Sequence, residues 1–147
     1  MRVLLQRVTR AEVTVDGTVA GSIGPGLVAL VGIGPHDTEA LATSMAGKSV
    51  DLRIFRDDEG RTNRSLDDVS GAMLVVSQFT LYGDARKGRR PSFIGAAEPD
   101  LAARLVGVFA RVVEARGIAV ARGVFGAEME VELVNDGPMT IWLDSGA

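Results

Sequence analysis

The sequence predicts a single α/β domain over residues 1–147, a three-layer arrangement of mixed, largely antiparallel β-sheets with two covering helices. Three observations predict it. Two runs, GLVALVGI and AMLVVSQFTLY, are apolar without alternation and bounded by Gly, Pro or polar residues, the mark of strands buried on both faces. Two other stretches repeat their apolar residues at helical spacing. Elsewhere alternating strands are joined by short turn signals, so strands outnumber helices and hairpin links dominate. The expected order is ββββ-α-β-α-βββ, with the helices covering one side of the sheets.

Residues 1–8 are apolar with β-branched members and read as a strand. In AEVTVDGTVAGSI, residues 11–23, Val13 and Val15 alternate with Glu12 and Thr14. Asp16-Gly17 is a type I′ signal, and Val19 resumes the alternation, which makes a hairpin. The apolar strand in GPGLVALVGIGP follows. Asp37 or Thr38 caps a helix reaching about residue 53, with Leu41, Met45 and Leu52 on one face. Residues 56–71 are polar and rich in turn residues, hence a loop. The second apolar strand covers AMLVVSQFTLY. Pro99 opens the second helix and Gly117 closes it, with Leu101, Leu105, Val108, Phe109, Val112 and Val113 as its stripe. Residues 118–124, 128–135 and 139–144 read as strands, the last two joined at Asn135-Asp136-Gly137-Pro138.

Composition narrows the function. The net charge is −3, which opposes wholesale coating of a polyanion but permits one local basic site. Arginines outnumber lysines 14 to 2, and arginine forks suit phosphates and carboxylates. With no cysteine there is neither a disulfide framework nor thiolate chemistry, which suits a reducing compartment. The opening MRVLLQRVTRAEV is broken by Arg2, Gln6 and Arg7 and lacks the shape of a signal peptide. No apolar stretch approaches the ~20 residues of a membrane span. A soluble cytoplasmic protein is expected.

Several chemistries are excluded. With one histidine, His36, and no cysteine, a His/Cys metal site is not available within one chain, and no metal is expected. A Ser-His-Asp triad would have to use His36, which sits beside a helix start and reads as a polar residue near a cap. Gly32-Ile33-Gly34 lies between strand and helix, but Asp37 stands at the third glycine position of a dinucleotide fingerprint, and no acidic ribose ligand follows. Asp57, Asp58, Glu59, Asp67 and Asp68 lack the order of a calcium loop and read as a solvated segment.

What remains is Ser77-Gln78-Phe79-Thr80 at the end of a central strand, where open α/β sheets place ligands. In an extended strand Ser77 and Phe79 would point one way and Gln78 and Thr80 the other. Immediately beyond lie four cations, Arg86, Lys87, Arg89 and Arg90.

VVSQFTL at 75–81, RRPSF at 89–93 and VNDGPMTIWL at 134–143 resemble the D-aminoacyl-tRNA deacylase family, as does QRVTRAEVTVDG near the start. The resemblance runs through essentially the whole chain. One departure is Arg61-Thr62-Asn63, where the family carries Lys-Met-Asn. The resemblance implies a homodimer that hydrolyses the ester between a D-amino acid, or glycine, and the 3′-terminal adenosine of tRNA, with no cofactor and no metal. It implies a catalytic strand at Ser77, Gln78, Phe79 and Thr80, and substrate contacts from Phe93 and from Gly137 and Pro138 of the other subunit. In the family that Gly-Pro bond is cis, and its backbone oxygens fix the substrate's α-amino group. The resemblance also favours the substrate's ribose 2′-hydroxyl over a side-chain nucleophile. Arg86, Lys87, Arg89 and Arg90 would then hold phosphates of the single-stranded 3′ end. The competing reading is a non-catalytic RNA-binding module with the basic segment as its footprint; the scarcity of aromatics, 5%, and the lack of an RNP signature stand against it.

Overall fold

A computed structural model describes residues 1–146. The strand β1, Arg2–Val15, organises the chain. Its inward positions Val3 and Leu5, then Val8, Ala11 and Val13, are buried. The phase of the alternation changes at Val8, where β1's pairing with the last strand is irregular. β2, Thr18–Ile23, returns antiparallel along the second half of β1, and β3, Gly26–Gly32, pairs antiparallel with the first half. At the turn between β1 and β2, Asp16 and Gly17 both take positive φ, 48° and 76°, as a type I′ turn requires.

α1, Glu39–Asp51, leads away from β3 and is capped by Thr38, whose hydroxyl accepts from the Leu41 amide at 3.2 Å. Its inner face differs from the expected one. Ala42, Met45, Ala46, Ser49 and Val50 are buried, while Leu41 and Leu52 pack at the margin. Small residues face inward because α1 lies against the second helix, where a small contact surface permits close approach. Residues 56–71 are not wholly loop: β4, Phe55–Arg56, and β5, Thr62–Arg64, form a short hairpin stitched by the Asp57 carboxylate, which accepts from the Glu59 and Arg61 amides. Those bonds, with Arg61's first, hold the Asp57 carboxyl below its ordinary range.

β6, Ala72–Ser77, then pairs parallel with β3, and β7, Val120–Arg122, pairs parallel with β6. Both faces of β3 and β6 are covered. Leu27, Ala29, Val31, Met73 and Val75 join the helix-side core, and Val28, Leu74 and Val76 join a second core beneath β1. This explains why these strands read as apolar runs. Between β6 and β7 runs α2, Pro99–Ala115, which buries Leu105, Phe109 and Val113 and ends with Gly117 at φ 82°. The helices therefore cover one side, and the sheet curls so that β2 approaches β7 on the other. Among the described residues no helix is long and apolar enough to cross a membrane.

The end of the chain departs from expectation. Residues 128–135 and 139–144 are not two hairpin-linked strands. β8, Glu130–Asp144, is one strand running antiparallel to β1, with Gln6 opposite Thr140 and Val8 opposite Asn135. Residues 136–139 thus bulge out opposite Arg7 alone, and the chain keeps its direction across Gly137-Pro138 instead of reversing.

Candidate functional site

The AMLVVS strand ends at Ser77 because Gln78, at φ −144° and ψ 76°, turns the chain aside after its amide donates to the Val31 carbonyl at 2.8 Å. Phe79–Tyr82 is a 3₁₀ turn, not the continuation of the strand that the apolar run suggested. Two glycines make room for it. A Cβ at Gly32 would lie 3.0 Å from the Gln78 carbonyl oxygen and 3.2 Å from the Leu81 Cβ, and one at Gly34 would lie 2.8 Å from the Tyr82 hydroxyl. Gly32-Ile33-Gly34 is therefore a seat for the turn and its aromatic ring. Tyr82 is held up to about 12, chiefly by burial and then by the nearby Asp37 carboxylate.

Tightening the chain changes the site's chemistry. The Gln78 and Thr80 side chains meet, with the Gln78 amide donating to the Thr80 hydroxyl. An amide nitrogen has no lone pair free to take a proton, so this contact positions the hydroxyl without activating it. Within the turn Leu81 and Gly83 amides are bonded to Gln78 and Thr80 carbonyls. The Phe79 and Thr80 amides begin the turn and have no backbone acceptor among the described residues. Ser77, Gln78 and Phe79 line a cavity of about 750 Å³ whose other walls include Phe93, Ile94 and Glu98. Phe79 and Phe93 meet edge to face, centroids 5.1 Å apart and planes at 74°. Phe79 is nevertheless 53% exposed and Ile94 91% exposed, so the mouth of the cavity is apolar and open.

Directly after the turn, Asp84 and Ser92 exchange backbone hydrogen bonds of 2.8 and 2.9 Å and close the base of the basic loop. The four cations are not equivalent. Arg86 lays its guanidinium on Asp84, with Nε and the terminal nitrogen donating at 2.9 and 2.7 Å. This fork, with the Arg86 backbone amide, holds the Asp84 carboxyl down at about 2. Lys87, Arg89 and Arg90 are exposed and form no ion pair among the described residues.

Gly137 and Pro138 lie at the β8 bulge, and their peptide bond is cis. Within this chain they do not line the cavity at Ser77–Phe79. Sequence reasoning missed the groups that hold the bulge. The Asn135 side-chain amide donates to the Arg7 carbonyl at 2.8 Å and the Met139 carbonyl at 3.1 Å, bracing its neck. Arg7, only 3% exposed, donates to the Asp136 carbonyl at 3.1 Å and the Ile54 carbonyl at 2.5 Å and pairs with the Asp136 carboxylate. Arg56 grips the same carboxylate at 2.9 and 3.1 Å, and its hydrogen bonds are the foremost reason Asp136 titrates below its ordinary range. The available signal was position. Arg7 follows Val3 and Leu5 on the inward parity of β1, where a lone arginine demands buried partners.

Three comparisons bear on this arrangement. The family model for D-Tyr-tRNA(Tyr) deacylase matches residues 4–144. The chain is 62% identical over 145 residues to the D-aminoacyl-tRNA deacylase of Roseiflexus castenholzii, covering 99% of this chain and 92% of that protein. It is 55% identical over 144 residues to the protein of the same name from Deinococcus deserti, covering 98% and 99%. Among solved structures, that of c-Myc DNA Unwinding Element Binding Protein superposes with a TM-score of 0.92 at 38% identity over the whole of both chains. The chain belongs to the D-Tyr-tRNA(Tyr) deacylase family.

Proposed function

We propose that this family member hydrolyses the ester joining a D-amino acid, or glycine, to the 3′-terminal adenosine of tRNA, and spares the L-ester. Water adds across the ester, and the free amino acid and the terminal ribose hydroxyl leave. The observation that carries this reading is the open cavity lined by Ser77, Gln78, Phe79 and Phe93, with the unbonded Phe79 and Thr80 amides at the end of its strand and the basic loop leading in sequence to its Phe93 wall. An aminoacyl ester is already activated, so catalysis needs position and stabilisation of a developing oxyanion more than a strong base. The Phe79 and Thr80 amides supply donors for that oxyanion. The substrate's 2′-hydroxyl assists the reaction, since the Thr80 hydroxyl meets a donor and no base. Phe79 and Phe93 offer faces to the terminal nucleoside, and Lys87, Arg89 and Arg90 meet the phosphates behind it.

Chirality is read by a second copy of the chain. Among the described residues β8 pairs with β1 alone, which leaves its other edge open, and Val131, Val134 and Trp142 are exposed on that strand. Pairing two copies there brings Gly137 and Pro138 of one to the cavity of the other. Main-chain oxygens at the bulge then hold the substrate's α-amino group, and the space an L side chain would need is filled by backbone. Glycine, with no side chain, passes. The homodimer works on tRNA in the cytoplasm. The deciding measurement is deacylation of matched D- and L-aminoacyl-tRNA by the purified protein: loss of the D-ester alone is expected, and equal persistence of both with tightly bound tRNA would make the protein a binding module instead. Sedimentation at micromolar concentration checks the dimer.

A further inference from the structure

The 79–82 turn is also held from behind, at the end away from the Phe79 and Thr80 amides. The turn's own hydrogen bonds are short-range apart from the Gln78 amide on Val31. At its far end the Leu81 carbonyl accepts from Arg2 at 3.0 Å. The same guanidinium donates through Nε to Asp144 at 3.0 Å, so one planar fork spans the turn and the end of β8. Its carbon lies 4.5 Å from the Tyr82 ring centroid and 5.8 Å from that of Trp142. Asp144 is held below its ordinary range by the Gly146 amide first and by Arg2 as well, so it stays charged in neutral solution. Arg2 is not needed to anchor its own strand, since β1 is laddered to β3 and β8 on both sides of that position.

We infer that Arg2 is a positioning residue for the deacylation: its guanidinium, clamped by Asp144 and the Tyr82 and Trp142 rings, fixes the Leu81 carbonyl and so the orientation of the Phe79 and Thr80 amides at the other end of the turn. This inference rests on the proposed function. A cation at the C-terminal end of the turn also opposes the partial negative charge of its last carbonyls. Because the turn is only four residues long, a displacement at Leu81 is transmitted to Phe79 and Thr80 with little attenuation. Those amide nitrogens must lie about 2.7–3.1 Å from the developing oxyanion, so a shift of a few tenths of an ångström weakens them.

The test compares Arg2→Met and Arg2→Lys with the wild-type protein on D-aminoacyl-tRNA. Arg2→Met is expected to lower kcat per folded molecule by about tenfold with KM changed less than about twofold, because the loss falls on the transition state. Arg2→Lys, which reaches the Leu81 carbonyl but cannot fork to Asp144 in the same plane, is expected to recover kcat to within about threefold of wild type. In ¹⁵N spectra the Phe79 and Thr80 amides are expected to move in Arg2→Met while those of α2 stay fixed. Should Arg2→Met not fold, Arg2→Gln takes its place with the same two readings. An unchanged kcat, unmoved Phe79 and Thr80 amides, or equal loss of folding and activity in both variants overturns the role. A wild-type protein that leaves the D-ester intact overturns the proposed function instead, and the amide shifts still decide whether Arg2 positions the turn.

Discussion

Two adjacent segments of the site are held in opposite ways. Residues 78–82 are packed from below by Gly32 and Gly34, clamped by Arg2, and flanked by a half-buried tyrosine ring. Residues 84–92 are closed at their base by one pair of backbone bonds and by Arg86 on Asp84, and their tip is exposed throughout. Under the proposed function the difference follows from what each segment would touch. Backbone donors act on charge that develops at one atom, and displacing them by 1 Å can cost about a hundredfold in rate. Cations that meet phosphates act over several ångströms through a screened field, so their geometry can be loose.

The largest expected effect breaks the rigid side of that contrast. Gly32→Val drives a branched side chain into the Gln78 carbonyl and Leu81, and kcat on the D-ester is expected to fall by about a hundredfold while the overpacking destabilises the fold by only about 1–3 kcal/mol. Circular dichroism melting beside single-turnover hydrolysis separates the two; a rate equal to wild type in folded protein would show that the turn tolerates displacement. Thr80→Ala removes the acceptor of the Gln78 amide without moving the backbone, so about a tenfold loss is expected, with cleavage still dependent on the substrate's 2′-hydroxyl. A trapped ester on Thr80 would make its hydroxyl the nucleophile.

On the loose side, Arg89→Ala with Arg90→Ala should weaken tRNA binding and lower the slope of log K against log salt by about 0.7 for each phosphate that is no longer neutralised. D-over-L discrimination should survive, since neither guanidinium touches the chiral centre; a loss of discrimination would join the loop to the chiral pocket. Arg86→Ala should change the salt slope less than either, because its charge is already matched by Asp84. The smallest effect concerns Tyr82, the sole tyrosine. Absorbance titration should find its phenol ionising near pH 12, not near its ordinary value of 10.0. Its folded value is raised, so its contribution to stability is complete below pH 10 and is lost as the pH rises towards about 12. An ordinary midpoint would mean that the ring is not packed over Gly34.

Much of the architecture was legible in the residues. The two apolar runs are β3 and β6 because both of their faces are buried, and the 3.6-residue stripe of α2 and the Asp16-Gly17 turn stand where local periodicity and turn chemistry place them. The motifs SQFTL, RRPSF and VNDGPMT pointed to the family that the comparisons show. Local pattern did not reveal that AMLVVSQFTLY stops being a strand at Ser77, since an apolar turn seated on glycines and a buried strand share the same composition. Nor did it separate Arg86 from its three neighbours, because an ion pair to Asp84 leaves no periodic trace.

The sequence by itself determined the α/β class, the two helices and the family. Tertiary structure alone decided that residues 130–144 form one bulged strand, that Arg7 and Asn135 hold the bulge, and that Arg2 reaches the 79–82 turn. The physical reason is distance along the chain. Helix and strand periodicity is set by neighbours a few residues apart, whereas Asn135 bonds to the Arg7 carbonyl across 128 residues and Arg2 to the Leu81 carbonyl across 79. A polar group buried by such folding must find its partner wherever the chain returns, and that place is specified only when all the strands are in register.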